Sequence, residues 1–463
     1  MGSLFSYIDL SLLRKYDTPG PRYTSYPTAP LFKSSFTAED FRNEIEATNG
    51  PGIASDVSLY LHFPFCDTLC YFCGCTMLVT RDRQRLEEYN QFIKTEIDLV
   101  AHMMASNRRV VQLHWGGGTP SHLSPMQIRD VAGHTISSFT VDTDAEVSVE
   151  IDPRELTRDH LVALRESGFN RMSMGVQDFN QRVQEAVNRI QPEGLTSGVY
   201  GWARELGFQS INLDLIYGLP FQTVRTFEDT VRKIIAYDPD RIAVFNYAHV
   251  PWLKPHQKLI RQEDLPDPEE KLRILKMTIE LLCSHGYEYV GMDHFAKPND
   301  ELAIAQKEKT LYRNFQGYST KSGADLYGFG MSSISHFQNI YAQNTKKMPE
   351  YYAALRGGRL ATHLGYRMTE DDQIRKYVIM RLMCDLELDT QVVEGRFGIT
   401  FDEYFSSSLE ALAQFVDDGL VEITDGKIAI VGAGRLLLRN IAMCFDAYLE
   451  SMKKEKPIFS RTV

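Results

Sequence analysis

Six short stretches rich in apolar residues recur through the first half of the chain, at 57–63, 110–115, 146–151, 170–176, 210–217 and 241–247, and each reads as a strand. The segments between them carry apolar residues at helical spacing. Leu86, Tyr89, Phe92, Ile93, Ile97 and Val100 share one helical face. Ser124-Pro125 is an N-cap followed by proline at the first helical position. Thr157 caps another helix that Gly168 ends, and Gly207 closes the segment after Thr196. Before the first strand, Thr37-Ala38-Glu39-Asp40 opens a short helix as a capping box with Asp in place of Glu. Strand and helix in alternation predict an α/β fold on a parallel sheet, open or curled into a barrel. A helix over 269–286 and a candidate seventh strand over 287–295 follow.

After about residue 365 the pattern changes. Helical segments at 370–385 and 400–417 lead to an apolar run at 420–423, the turn Asp425-Gly426, and a second run at 427–431. Asp-Gly between two such runs is a hairpin signal. Helix, helix, hairpin and a final helix predict a small domain of winged-helix order. It lacks the basic face of a DNA reader and reads as structural. The expected organisation is an N-terminal segment over 1–50, a barrel with its extension over 51–365, and a mostly helical C-terminal domain with a β-hairpin over 366–463.

Three of the strands are polar on one side. Side chains alternate along a strand, so Val147, Val149 and Ile151 oppose Ser148, Glu150 and Asp152. In the next strand Met172, Met174 and Val176 oppose Arg171, Ser173 and Gln177; in the one after, Ile211, Leu213 and Leu215 oppose Asn212 and Asp214. Parallel sheets are normally apolar on both faces, and a buried polar face is costly unless satisfied. A barrel lumen holding polar ligands accounts for the pattern. Short, partly solvated strands account for it too.

Composition narrows the function classes. A chain of 463 residues with 43% hydrophobic and 11% aromatic content describes a folded protein of two or three domains. A net charge of −11 argues against a broad nucleic-acid or membrane surface, while a few local arginines would still serve an anionic small molecule. No apolar run reaches the length of a membrane span. The opening Met1-Gly2-Ser3-Leu4-Phe5 lacks the basic and apolar regions of a signal peptide, so a cytoplasmic protein is expected. Nothing suggests a coiled coil, and a monomer is expected.

Four of the seven cysteines, Cys66, Cys70, Cys73 and Cys75, lie within ten residues at the end of the first strand. The spacing C-x3-C-x2-C suits a soft metal. A structural zinc site needs a fourth ligand, and no second cysteine pair supplies one; His62 stands alone. Three thiolates can hold three irons of a four-iron cubane and leave the fourth open, as a reactive site requires. A disulfide is the blander reading, disfavoured where no secretory signal is present. Gly116-Gly117-Gly118-Thr119-Pro120 follows the second strand. Its glycines allow positive φ and let backbone N–H groups approach a ligand, although a tight strand-to-helix turn would look the same. Both loops leave the carboxyl ends of strands, where α/β folds carry their sites. His62, His114, His249 and His294 read as packing or hydrogen-bonding groups. The Pro/Tyr-rich stretch at 19–27 reads, from composition, as a solvated extended connector.

The cysteine loop, with Phe72 between its second and third cysteines, resembles the signature of radical S-adenosylmethionine (SAM) enzymes. Further motifs resemble one family within them, the oxygen-independent coproporphyrinogen III dehydrogenases of haem biosynthesis. They are GPRYTSYPT at 20–28, CDTLCYFCGC at 66–75, LHWGGGTP at 113–120, EIDPRE at 150–155, FNRMSMGVQDFN at 169–180, DLIYGLP at 214–220, FNYAHVP at 245–251, GMDHFA at 291–296 and RNFQGY at 313–318. The resemblance spans nearly the whole chain. It implies a partial (β/α)6 barrel holding a [4Fe-4S] cluster on Cys66, Cys70 and Cys73 together with two SAM molecules. Tyr60, Gly117, Glu150 and Ile334 would contact the first SAM. Phe72, Gly118, Thr119, Gln177, Arg189, Asp214 and Ala248 would line the second. Cys75 corresponds to the family's extra cysteine, which is not a ligand. The segment around Arg22 would reach over the active site. The run Gly330-Met331-Ser332-Ser333-Ile334-Ser335 departs slightly from the family's small-residue pattern.

The same resemblance implies the reaction: a SAM-derived radical removes a hydrogen from the β-carbon of a substrate propionate, and loss of CO2 and one further electron leaves a vinyl group. Done twice, this converts coproporphyrinogen III to protoporphyrinogen IX, with a low-potential donor such as flavodoxin or ferredoxin. The substrate is rich in carboxylates, and Arg22 is the candidate for a planar two-point contact with one of them. A related class binds haem as a chaperone and does not decarboxylate. Those relatives tend to lack the GPRYTSYPT segment and the extra cysteine and carry a His-Asn and Tyr-Trp haem motif, where this chain has Arg313-Asn314-Phe315-Gln316-Gly317-Tyr318.

Overall fold

The computed structural model describes residues 9–50, 56–452 and 458–462. Its main strands in chain order are β1 (Asp56–Phe63), β2 (Arg109–Gly117), β3 (Thr140–Ile151), β4 (Arg171–Gln177), β5 (Ser210–Tyr217), β6 (Arg241–Asn246), β7 (Glu288–Gly291), β8 (His294–Ala296), β9 (Asp325–Phe329), β10 (Ile334–Phe337), β11 (Ile340–Asn344), β12 (Thr362–Arg367), β13 (Glu387–Asp389), β14 (Val421–Thr424) and β15 (Lys427–Ile430). The chain forms two compact units, one of Leu31–Asp214 with Gly323–Arg367, the other of Met1–Pro30, Leu215–Ser322 and Met368–Val463. The expected boundary at residues 50 and 51 abuts 51–55, which lie outside the described residues.

In the first unit the sheet order is β12-β11-β10-β9-β1-β2-β3-β4-β5. Pairing is parallel from β9 through β1, β2 and β3 to β4, as in the partial radical SAM barrel. It is antiparallel from β9 to β12. The chain-order run β1 to β5 follows from the strand–helix alternation. The extension from β9 to β12 did not show in the sequence pattern, because its strands are short and interrupted by glycines. The helix Arg83–Met103 packs on the sheet with Leu86, Tyr89, Ile93, Ile97 and Val100 all buried, and Phe92 stacks on Tyr352 at 4.3 Å. The capping box at Thr37 forms as expected, and the expected N-cap Ser124 is further closed into a box by Gln127.

Two polar residues of that helix, Asn90 and Glu96, are buried with its apolar ones, and only Glu96 carries a charge. Glu96 is 2% exposed. It accepts hydrogen bonds from Gly330 N at 2.7 Å, the Tyr351 hydroxyl at 2.7 Å and Asn344 Nδ2 at 2.6 Å. These contacts pin the turn that precedes β10. Gly330 has φ +91°, and a Cβ there would meet the Tyr89 hydroxyl at 2.5 Å, so only glycine fits.

In the other unit β8 pairs antiparallel with both β6 and β7. The candidate seventh strand over 287–295 is therefore corrected: Gly291 (φ 144°) and Met292 (φ 46°) turn the chain, and the segment folds as a hairpin. The C-terminal part carries the helices Glu370–Asp385, Thr390–Phe397, Phe401–Tyr404 and Ser406–Asp417 and the three-stranded sheet β13-β15-β14. Asp425 (φ 47°) and Gly426 (φ 77°) make the expected hairpin turn. The added helix Thr390–Phe397 arises because Leu386 (φ 63°) stops the preceding helix and Asp389 caps the next through Gln391 N and Val392 N.

The Pro/Tyr stretch is not a solvated connector. Tyr23 and Tyr26 are 1% and 0% exposed. Tyr23 donates to Asp446 Oδ2 at 2.9 Å, and the Tyr26 hydroxyl accepts from Ala447 N at 3.0 Å. Composition misleads here because proline and tyrosine suit an extended chain whether it lies in water or under a helix.

Burial pushes the Glu96 carboxyl up to about 7, against the lowering effect of its hydrogen bonds to Gly330, Tyr351 and Asn344. Across the window from the unfolded value near 4.5 to about 7, the folded state binds more protons than the unfolded one, so stability from this site falls as pH rises. Glu96→Gln cannot titrate. The stability gap between wild type and Glu96→Gln should therefore shrink by up to about 3 kcal/mol from about pH 5 to about pH 8. Denaturant titrations of both proteins at the two pH values check this, and a constant gap would contradict it.

Candidate functional site

The polar face expected from the strand alternation is present. Register places Tyr60 beside His114, His114 beside Ser148, and Glu150 beside Ser173. Along β3 and β5 every apolar partner is buried while Ser148, Glu150, Asn212 and Asp214 keep partial exposure. The polar groups are tied to one another. Ser173 donates to Asp214 Oδ2 at 2.8 Å, and Asn212 Nδ2 reaches Asp214 Oδ1 at 2.6 Å and Ser173 Oγ at 2.9 Å. Desolvation pushes the Asp214 carboxyl up to about 6, with the Glu150 charge adding to it against the Ser173 and Asn212 hydrogen bonds. Asn212 Oδ1 and Gln177 Oε1 are buried with no hydrogen-bond partner. Such orphaned acceptors call for a donor from a ligand or water.

His114 holds the middle of this face. Its Nδ1 lies 2.6 Å from Ser148 Oγ and its Nε2 3.4 Å from Glu150 Oε1, and its ring stacks on Tyr60 at 5.8 Å. Gly117 N donates to Glu150 Oε2 at 3.2 Å. Burial pushes the Glu150 carboxyl up, but the His114 bond and charge and the Gly117 N–H outweigh it and leave it below the ordinary value. Glu150 is thus a fixed carboxylate. His62 links Tyr60, by a 3.1 Å contact to its hydroxyl, to the Thr76 carbonyl at 3.0 Å. As expected, these histidines are hydrogen-bonding groups; His249 similarly meets the Tyr247 hydroxyl at 2.9 Å.

The glycine turn does something other than present N–H groups outward. Gly117 (φ +118°) lies so near His62 that a Cβ would sit 2.7 Å from the ring. Gly118 N and Thr119 N donate to Phe63 O and Phe65 O, both at 2.8 Å. The turn is clamped to the start of the cysteine loop, and Cys66 Sγ lies 3.3 Å from Thr119 Oγ1. Burial pushes the Cys66 thiol up to about 12. The far side of the loop is held by Tyr71 N on Val187 O at 2.9 Å and by Asn188 Nδ2 on Leu69 O at 2.8 Å.

Cys70 meets two arginines. Arg154 Nη2 is 3.4 Å and Arg189 Nη1 3.6 Å from its Sγ. Asp152 aims both: Arg154 Nη2 and Arg189 Nη1 donate to its Oδ2 at 2.7 and 2.9 Å. Burial pushes the Asp152 carboxyl up, but the two guanidiniums overcome this and hold it at about 2. Arg154 received no role in the sequence reading. Its signal was the i, i+2 spacing from Asp152 just past a strand whose Asp152 side is polar. Asp152, Arg154, Thr119 and Asp67 border a cavity of about 110 Å³ against the loop. A larger cavity, about 840 Å³ beside the Thr37 helix, contains none of the candidate residues.

Of the candidate residues, Cys66, Cys70, Cys73, Phe72, Thr119 and Arg189 thus gather on or against the loop, while Tyr60, Gly117, Glu150, Gln177 and Asp214 lie on the polar face or at its carboxyl edge. Ile334 opens β10, after the turn Glu96 holds. Ala248 and Arg22 belong to the other unit; Ala248 follows β6, and Arg22 pairs with Asp293. The residues suit an iron–sulfur cluster. Thiol donors on one short loop, guanidinium N–H groups on one of them and a hydroxyl on another match what an anionic cluster needs from its surroundings. Among the described residues no three His, Cys, Asp or Glu side chains stand in metal-binding geometry.

The radical SAM superfamily sequence model matches residues 60–234, and that of the HemN C-terminal domain matches 368–437. The chain is 45% identical to an oxygen-independent coproporphyrinogen III oxidase of Synechocystis sp., covering 100% of both sequences. It is 46% identical to the Escherichia coli protein of that name over 98% of each. The solved structure of coproporphyrinogen III oxidase (HemN) from Escherichia coli, described as a radical SAM enzyme, superposes with a TM-score of 0.91 at 45% identity, over 96% of this chain and 100% of that one.

Removing Asp152 leaves two guanidiniums with no carboxylate between them. Asp152→Ala should cost about 2–3 kcal/mol of stability at neutral pH, below the about 3–5 kcal/mol of a fully buried broken pair, because Asp152 and Arg154 keep some exposure. Denaturation of the cluster-free protein measures it; a loss within error of zero would show that the pairs do not hold the loop.

Proposed function

The chain belongs to the oxygen-independent coproporphyrinogen III oxidases, within the radical SAM superfamily, and from that membership we infer that it converts two propionate side chains of coproporphyrinogen III to vinyl groups by oxidative decarboxylation, giving protoporphyrinogen IX without oxygen. The observation that carries the assignment of roles is the meeting of the cysteine loop with Thr119 and with Arg154 and Arg189. It puts a thiol-rich loop at the carboxyl edge of a sheet whose polar face needs ligands.

On this reading Cys66, Cys70 and Cys73 each hold one iron of a [4Fe-4S] cluster and leave the fourth open. Arg154 and Arg189 offset the negative charge that accumulates on Cys70. Tyr60, Gly117, Glu150 and Ile334 surround one SAM, and the fixed carboxylate of Glu150 accepts from its ribose hydroxyls. Phe72, Gly118, Thr119, Gln177, Arg189 and Asp214 would hold the second, Gln177 Oε1 being free to accept from it, and the resemblance adds Ala248. When bound, the cluster and SAM supply one-electron cleavage chemistry that a protein side chain cannot. The chain's own part is to bind, orient and exclude water and oxygen around the reacting propionate. Arg22 meets a substrate carboxylate. Electrons come from a low-potential donor such as flavodoxin or ferredoxin, and the enzyme works as a cytoplasmic monomer. Among the described residues no helix is long and apolar enough to cross a membrane. The alternative, a haem-binding chaperone, has no observation in its favour.

The test is anaerobic. Reconstituted protein with SAM, a reductant and coproporphyrinogen III should yield vinyl product and 5′-deoxyadenosine, with about four irons per chain. Cys66→Ser, Cys70→Ser and Cys73→Ser should each lose the iron, and Cys75→Ser should keep it. SAM cleavage without decarboxylation, together with stable haem binding, would replace the reading with the chaperone.

A further inference from the structure

In the unit that contains β6 to β8, a cavity of about 40 Å³ opens beside the carboxyl ends of β5 and β6. Arg22, Arg435 and Arg439 line it, and Asp293 is the one carboxylate that does. In a chain with a net charge of −11 this is a local reversal of sign. Arg22 gives only its Nη2, to Asp293; its other N–H groups have no hydrogen bond among the described residues. Arg435 donates Nη2 to the Tyr289 carbonyl, and its Nε is buried with no partner. Arg439 spends its N–H groups on the backbone carbonyls of Gly20, Pro21, Ser460 and Arg461 and makes no ion pair among the described residues.

A fourth guanidinium stands behind these. Arg313 is 3% exposed, donates Nε to Arg22 O at 3.2 Å, and has Nη1 buried with no partner. His294, surrounded by this charge, is pushed down to about 3 by burial and by Arg313, Arg22 and Arg241. It stays neutral and adds no cation. Burial and the neighbouring Arg22 likewise push Arg439 down to about 9. Two buried guanidiniums, Arg313 and Arg439, and two partly buried ones, Arg22 and Arg435, stand near a single carboxylate, an excess of positive charge that is costly unless an anion joins it. The volume admits a carboxylate group or a water or two, and is far too small for a tetrapyrrole ring.

We propose that this arginine pocket takes up one propionate carboxylate of the tetrapyrrole substrate, with Arg22 and Arg435 as its direct donors, Arg439 and Arg313 as fixed positive charge, and Asp293 holding Arg22 in place. The proposal rests on the functional reading above for the identity of the carboxylate. Planar guanidiniums with unused N–H groups suit such a group. Because only an arm of the substrate fits, the pocket anchors a propionate and leaves the ring outside it. Arg22 also ties the pocket to the N-terminal stretch, whose carbonyls at Gly20 and Pro21 Arg439 holds. Ordering of that stretch and anchoring of the substrate thereby depend on the same charges.

The test uses the full chain and coproporphyrin III, the stable oxidised tetra-acid, against its tetramethyl ester, with binding read by porphyrin fluorescence. Wild type should prefer the acid, and Arg435→Gln and Arg22→Gln should each weaken acid binding about tenfold or more while leaving ester binding unchanged. Arg435→Lys, which keeps the charge and loses the planar fork, should fall between, and its unaltered melting temperature would separate loss of binding from misfolding. If both Gln variants keep the full acid-over-ester preference, the pocket does not read the carboxylate and the proposal fails while the reaction stands. Inorganic phosphate displacing the tetra-acid at equal concentration would make this a general anion site and also overturn it. If wild type forms no vinyl product in the anaerobic assay, the reading itself falls, and the substrate assignment falls with it.

Discussion

A sheet with one polar face sets the terms for what is built on it. Every carboxylate, amide and imidazole on that face has left water and must find a partner inside the protein or in a ligand. Here the rows Tyr60–His114–Ser148 and Glu150–Ser173 are in register across parallel strands, so each group finds a partner on the neighbouring strand. Glu150 gains enough from His114 and Gly117 to stay ionised. Asp214 is pushed up to about 6 by desolvation and the charge of Glu150, against its hydrogen bonds to Ser173 and Asn212. Two carboxyls on one face are thereby shifted in opposite directions by what surrounds them. The acceptors left over, on Gln177 and Asn212, mark where the protein alone does not complete the network.

The cysteine loop depends on the same edge. It is fastened to the glycine turn after β2 by Gly118 and Thr119, and the Asp152–Arg154–Arg189 group brings two cationic donors to Cys70. Sulfur accepts weak hydrogen bonds, and guanidinium N–H groups strengthen in proportion to the charge it carries. The arrangement therefore favours the state in which the loop holds an anionic cluster. A similar logic, with the sign of the ligand unchanged, governs the arginine pocket of the other unit, where Arg22, Arg435 and Arg439 share one carboxylate.

Much of this was legible in the residues. Period-two alternation in 146–152, 170–177 and 210–217 foretold which side chains share a face, because a strand leaves no choice about direction. The spacing of Cys66, Cys70 and Cys73 foretold a soft metal, because ligands on one short loop need no tertiary fold to be neighbours. Less legible were the partners that come from elsewhere. Arg154 on Cys70 had only its spacing from Asp152 as a local signal, and Glu96 under the Gly330 turn is a charged residue on a largely apolar helix face, with nothing nearby in the sequence to show its partners. The 287–295 segment has strand composition and turned out to be a hairpin, since two residues of positive φ at Gly291 and Met292 outweigh propensity.

What the sequence determined by itself is therefore local and periodic: the α/β alternation, the polar side of each strand, the helix caps, the cysteine spacing and the Asp425-Gly426 turn. Each follows from bonds and sterics within a few residues. Only the tertiary structure decided that the Pro/Tyr stretch is buried, that Glu96 clamps a turn more than two hundred residues away, and that arginines from two distant segments line one cavity with Asp293. Those outcomes turn on desolvation and charge, which are properties of a surrounding and not of a residue. A guanidinium in water says nothing about its use; the same group buried without a carboxylate says that an anion is expected.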